Sequence, residues 1–379
     1  MIPLSAPDRL PESAPVAGPG RRNSIGALRL LLASLVIYTH AFYIGGFGHE
    51  WLSTWSHGPL SAGTIAVQCF FVLSGWLVAT SWRRQPAPGR FLWHRFLRLA
   101  PAFWVCLAVT AFIFTPVLCL TTRGESPSFF NLDPSPWSYV WRNLVVPRAQ
   151  IAIGPLPAQG PWPGDWNGSL WTLFYEGACY LMVGALGLAG LLTRWRGAGT
   201  ALIAALLLLH IVAVHLPPSG SFAPLGRLYD TPGKVLTLHF LAGAAWAAWP
   251  QETAPRLRSP WLALALAAML VTTWHFRLHV WLSPFVLPPL LLWCWRLEWL
   301  AGFETLVRGD YSYGVYLYGY PVQQVLAHFG VHEHGFAVFV AASFLLALAC
   351  AIASWHLVEK PALSLKSLAW PRLRPAAAA

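Results

Sequence analysis

The sequence predicts an all-α integral membrane protein, a bundle of about ten transmembrane helices with both termini in the cytoplasm. Three observations predict it. The chain is 56% hydrophobic and only 10% charged, whereas soluble domains carry about 25% charged residues. Its mean hydropathy is +0.52. It holds 22 tryptophans, which suit aromatic belts at two membrane interfaces.

The first twenty residues, MIPLSAPDRLPESAPVAGPG, are rich in proline and alanine and lack an apolar core segment. Residues 1–23 therefore read as a disordered cytoplasmic tail and not as a signal peptide. Crossing about 30 Å of hydrocarbon takes about 20 apolar residues. Such runs recur at roughly 25–44, 60–81, 98–119, 168–192, 199–216, 233–249, 260–275, 280–297, 312–329 and 336–356. The fifth to eighth are the shorter ones. One transmembrane domain, 24–362, covers them all, and 363–379 form a second cytoplasmic tail. The sequence shows no internal repeat.

The loops orient the bundle. Arg83, Arg84, Arg90, Arg95 and Arg98 lie between the second and third runs with no acid among them. Arg194 and Arg196, then Arg256 and Arg258, then Lys360, Lys366, Arg372 and Arg374 fall on the same side, with Arg21 and Arg22. The positive-inside rule makes that side the cytoplasm. The net charge of +11 is therefore a topology signal and does not point to a nucleic-acid partner. The cysteines are scattered through apolar runs without metal spacing, so they read as small buried hydrophobes and no metal is expected.

The connection over about 121–167 falls outside. It is proline-rich, reads as structureless, and carries Trp137, Trp141, Trp162 and Trp166. It is either a binding lid whose tryptophan faces stack on sugars or an interfacial loop anchored by those rings.

In LRLLLASLVIYTHAF, Arg29 and His40 stand eleven positions apart. On a helix that is three turns plus about 20°, so both lie on one face, about 16 Å apart along the axis. Glu176 lies in SLWTLFYEGACY, about two turns into the fourth run. Ionisable groups inside a span are costly and mark function by default. Each also has a bland reading. Arg29 snorkels to headgroups, His40 bonds a carbonyl, and Glu176 is a paired structural carboxylate.

Six segments, in order, then resemble one family. They are Arg29…His40 (R-x10-H), FFVLSGWLV from Phe70, HRFLRLAPAFW with Arg95, Arg98 and Pro101, SLWTLFYEGACY with Glu176, DYSYGVYLYGYPV from Asp310, and SWHLVEKP with Glu359. Together they resemble the acyltransferase-3 family of integral membrane acyltransferases, which includes O-antigen and exopolysaccharide acetylases. In one place the chain departs from that pattern. Where many members have histidine in the ninth span, this chain has Gly319.

The resemblance implies a multi-pass protein of the bacterial inner membrane. An acyl group, acetyl above all, would pass from cytoplasmic acyl-CoA to a hydroxyl of a cell-envelope or secreted saccharide, lipid-linked glycans included. Acetyl-CoA would be the co-substrate. His40 would be the general base and Glu176 would orient or assist it. Arg29, Arg95 and Arg98 would hold the coenzyme A phosphates. Trp166, Trp171 and Tyr175 would contact the saccharide. Ser74 and Gly75 read as a close helix contact, and Glu359 as a local ion pair with Lys360. The alternative is a transporter of small anions or lipid-linked sugars with Arg29, His40 and Glu176 along a polar route. The paired Gly/Pro interruptions of transporters are not seen. The acyl-transfer reading expects Arg29, His40 and Glu176 to line one continuous cavity.

Overall fold

The computed structural model describes residues 25–56, 60–121, 128–144, 148–194, 231–248, 259–276, 278–294 and 309–367, with a few positions between 201 and 208. The tail expected at 1–23 and most of the fifth run, 199–216, lie outside the described residues.

Every regular element among the described residues is helical, and the single bridge, Ile153 with Leu156, is isolated. In chain order they are α1 (Ile25–Ile44), α2 (Trp51–Trp55), α3 (Ala62–Arg84), α4 (Pro88–Thr121), α5 (Pro136–Asn143), α6 (Trp171–Leu188), α7 (Thr231–Ala248), α8 (Pro260–His275), α9 (His279–Cys294), α10 (Ser312–His328) and α11 (Phe336–Ser364). Four of them, α1, α3, α4 and α11, are long and apolar enough to cross a membrane.

Local chemistry sets the ends and the bends. Ser61 caps α3, accepting from the Thr64 amide at 3.0 Å. Glu50 is buried beside it. Its carboxylate accepts from Thr39 at 2.7 Å and from the Ala62 amide at 2.8 Å, which ties the far end of α1 to the start of α3. A negative group there also suits the helix dipole. Helix α4 carries a π turn at Thr110–Phe114 and α11 another at Trp355–Glu359. Each precedes a proline, Pro116 or Pro361, whose missing N–H cannot serve the carbonyl four residues back.

Two glycines bring α3 and α7 together backbone to backbone. A Cβ at Gly75 would lie 2.0 Å from the Phe240 carbonyl oxygen, and one at Gly243 would lie 2.0 Å from that of Val72. The close contact expected of the Ser74–Gly75 pair is thus made by Gly75. His239 of α7 meets Ser283 of α9 at 2.9 Å. Gly319 lets α10 approach α1: a Cβ there would fall 2.8 Å from Ile37.

The connection over 121–167 is not structureless among its described residues. Its described part is folded onto the bundle. Ser135 caps α5, accepting from Ser138 N at 3.1 Å, and the Asn143 amide donates to the Tyr139 and Gln150 carbonyls at 2.8 Å each. Tyr139, Ile153, Leu156 and Trp166 are buried in one core with α4 and α10. Proline-rich composition suggested an open loop, but satisfied backbone groups and buried rings hold it shut.

Candidate active site

A cavity of about 430 Å³ opens among α1, α3, α4, α6 and α10 and the turn that follows α11. That volume lies within the usual range for small-molecule sites, about 300–1,000 Å³. Arg29, Arg95, Arg98, Asp310 and Lys366 line one end. Ser74, Glu176 and Tyr180 stand further along, and Thr172 and Tyr316 lie beyond them.

The charged end is built around Asp310. Its Oδ2 accepts from Arg29 Nη1 at 2.7 Å and from Arg98 Nη2 at 2.6 Å, and its Oδ1 accepts from Ser312 Oγ at 2.6 Å. Burial opposes the charge of this carboxyl. The Arg29 and then the Arg98 guanidinium overcome that and hold it well below the usual carboxylate range. Arg98 Nη1 also lies 3.8 Å from Glu359. Glu359 is therefore not the local partner of Lys360. The π turn directs its side chain into the bundle, where it is buried and accepts from Ser354 at 3.2 Å.

Arg95 sits over two aromatic faces, Phe91 at 5.9 Å and Tyr180 at 5.8 Å. Lys366 reaches the same cavity from the turn Leu365–Ser367. That turn is held by Trp93, whose Nε1 donates to the Leu365 carbonyl at 3.4 Å. Burial, and then repulsion from Arg95 and Arg98, lowers the Lys366 ammonium to about 8.

In the middle, Tyr180 donates a short hydrogen bond to Glu176, and Ser74 reaches the same carboxylate oxygen at 3.4 Å. Thr172 and Tyr316 share a 2.6 Å hydrogen bond, and Tyr316 also donates to the Ser169 carbonyl at 2.9 Å.

The expected continuous cavity is thus only partly formed. Arg29 and Glu176 line it, but His40 is not among its lining residues. The His40 ring packs edge-on against Tyr320 at 5.1 Å and Tyr43 at 5.5 Å. Tyr320, which His40 touches, lies one helical turn past the cavity-lining Tyr316 on α10. Among the described residues, Glu176 is hydrogen-bonded by Tyr180 and Ser74 and not by His40. The His40 Nδ1 is buried without a hydrogen-bond partner among the described residues.

Around His40 lies a second polar group. Tyr320 donates to Asp165 at 3.4 Å, and Arg148 pairs with Asp165 at 2.8 Å. Burial raises the Asp165 carboxyl above its ordinary value, with Arg148 opposing. Gln324 donates to the Asp165 and Trp162 carbonyls at 2.8 and 2.9 Å, tying the connection that precedes α6 to α10.

The three residues expected at the saccharide lie in packing contacts. Trp166 is fully buried in the core with α4 and α10, and Tyr175 fills the contact of α6 with α3 and α7. Trp171 stands edge-on to Tyr175 at 5.6 Å. None lines the cavity, because each ring is spent on helix packing. The most exposed tryptophans of the connection over 121–167 are Trp137 and Trp141, 72% and 76% exposed on α5.

Sequence reasoning missed Asp310, Tyr180 and Lys366 as cavity residues. Asp310 opens a segment that was matched, and Tyr180 closes another. Lys366 carried no signal beyond being a cation just past the last span.

Residues 22–356 match the acyltransferase-3 family, described as an acyltransferase domain. The chain belongs to the acyltransferase-3 family. It is an acyltransferase. Among its relatives is nodulation protein 10 of Rhizobium leguminosarum bv. viciae, 28% identical over 92% of this chain and 95% of the relative. The O-acetyl transferase of Shigella phage Sf6 is 29% identical over 90% and 96%. Peptidoglycan O-acetyltransferase OatA of Listeria monocytogenes is 30% identical over 42% of this chain and 23% of that protein. No solved structure matches the chain.

Proposed function

We propose that this acyltransferase moves an acyl group, acetyl above all, from cytoplasmic acyl-CoA to a hydroxyl of a cell-envelope or secreted saccharide. In this reading about ten spans cross a bacterial inner membrane, both termini are cytoplasmic, and the Arg29 end of the cavity faces the cytoplasm. The observation that carries it is the cavity, with arginines and a lysine gathered at one end and a carboxylate further along. That is the polarity needed by a donor with phosphates at one end and a thioester at the other. The relatives named as O-acetyl transferases support an oxygen acceptor.

The donor fits the residues present. Arg95 and Lys366 line the cavity without a carboxylate partner among the described residues, so they can meet an anion. The donor supplies a thioester carbonyl open to attack. Arg29, Arg95 and Arg98 shape the end that receives its phosphates. His40 takes the proton of the acceptor hydroxyl, a task for which imidazole is suited. Glu176, hydrogen-bonded by Tyr180 and Ser74, is the carboxyl group along the donor's path.

The test uses the purified full chain in nanodiscs with acetyl-CoA. Free thiol should be released only when a saccharide acceptor is present, and the acceptor should gain an ester. Thiol release independent of any acceptor, or no release with any saccharide tried, would overturn the reading. Surface glycans that keep all their acetyl groups in a deletion strain would remove those glycans as acceptors.

A further inference from the structure

The cations of the cavity are not equivalent. Arg29 and Arg98 both end on one oxygen of Asp310, at 2.7 and 2.6 Å, and Arg98 also approaches Glu359 at 3.8 Å. A phosphate meeting either guanidinium would share it with a carboxylate that already offsets much of its charge. It would also lie close to the negative charge of Asp310, which opposes binding. Arg95 and Lys366 differ. No carboxylate pairs with either among the described residues. The neighbours of Arg95 are the ring faces of Phe91 and Tyr180, which orient a guanidinium without neutralising it. Its Nε is buried without a partner. Lys366 is brought to the same cavity by a turn that Trp93 pins.

We infer that Arg95 and Lys366 receive the phosphate charge of the acyl donor, while Arg29, Asp310 and Arg98 form a fixed ion-paired wall. This rests on the acyl-CoA reading above and narrows it. The ligand class is a phosphorylated thiol carrier on a narrow arm. The last turn of the domain becomes part of the donor site, although the sequence places it in a tail. The lowered ammonium of Lys366 agrees, since burial and the repulsion of Arg95 and Arg98 mark a positive region with too few anions. An incoming phosphate relieves that repulsion.

The experiment measures coenzyme A binding by calorimetry on the full chain in nanodiscs, at two salt concentrations, with thermal unfolding of each variant as a check on folding. Lys366→Met and Arg95→Ala should each weaken coenzyme A by about 10-fold or more and flatten the salt dependence. Lys366→Arg should keep most of the affinity. Unchanged affinity in Lys366→Met would overturn the inference and leave the donor reading standing. Equal losses in Lys366→Met and Lys366→Arg would also overturn it, since packing and not charge would then be at work. Failure of the unsubstituted chain to bind coenzyme A would sink the donor reading itself.

Discussion

Asp310 accepts a hydrogen bond from Arg29 at 2.7 Å, joining positions 281 apart in the chain. The same oxygen holds Arg98, so the starts of α1 and α10 and the first half of α4 meet at one carboxylate. This junction walls the charged end of the cavity.

Asp310→Asn should therefore destabilise the protein. Breaking a fully buried ion pair from one side costs about 3–5 kcal/mol. Here the partners keep 15–28% exposure, so the expected loss is about 1–3 kcal/mol. The folded carboxyl is held below its ordinary value, so the triad stabilises fully above about pH 4 and loses its effect as pH falls further. Thermal unfolding of both proteins across pH should show a gap at pH 7 that narrows below pH 4. A gap that widens in acid would contradict the assignment.

Gly75→Ala should be poorly tolerated. The added carbon would lie 2.0 Å from the Phe240 backbone oxygen, and a backbone atom cannot swing aside. Overpacking of this kind costs about 1–3 kcal/mol or more. Gly177→Ala is the control, since a Cβ there meets nothing within 4 Å. Comparable melting temperatures for the two variants would mean that α3 and α7 are not in backbone contact.

His40→Ala should lower acyl transfer by about 10²–10⁴-fold, the usual contribution of a general base. Coenzyme A affinity should stay the same, because His40 does not line the cavity. Steady-state thiol release and calorimetry separate the two effects. Near-normal turnover removes His40 from the chemistry, and a drop in affinity would extend the donor site to the His40 end.

Coenzyme A affinity should also fall as pH rises through about 8, where the Lys366 ammonium is lowered. The protonated form is the one that meets phosphate, so binding is strongest below that value. Occupancy by an anion pushes the ammonium back up, which spreads the fall over a wider range. Arg29, Arg95, Arg98, Asp310 and Glu176 share the cavity. Lys366→Arg isolates the lysine, since a guanidinium at that position stays charged throughout. Identical pH profiles for the wild-type chain and Lys366→Arg would show that another group carries the dependence.

The helical class, the membrane character and the family were legible in the sequence alone. Each follows from local facts. A run of about 20 apolar residues must satisfy its own backbone, and in a membrane the helix does so. The motif segments are contiguous strings, and the shared face of Arg29 and His40 follows from 3.6 residues per turn. Tertiary structure decided which charge meets which. Nothing near Arg29 indicates Asp310, nothing near Glu359 indicates Arg98, and Lys366 looks like any cation past a last span. Those meetings depend on how closely α1, α4, α10 and α11 approach, and contacts such as Gly319 on Ile37 help to set that distance. The same closeness leaves His40 against Tyr320 and outside the cavity that Arg29 enters. A shared helix face gives direction, while the space in front of that face belongs to whichever side chains the neighbouring helices bring there.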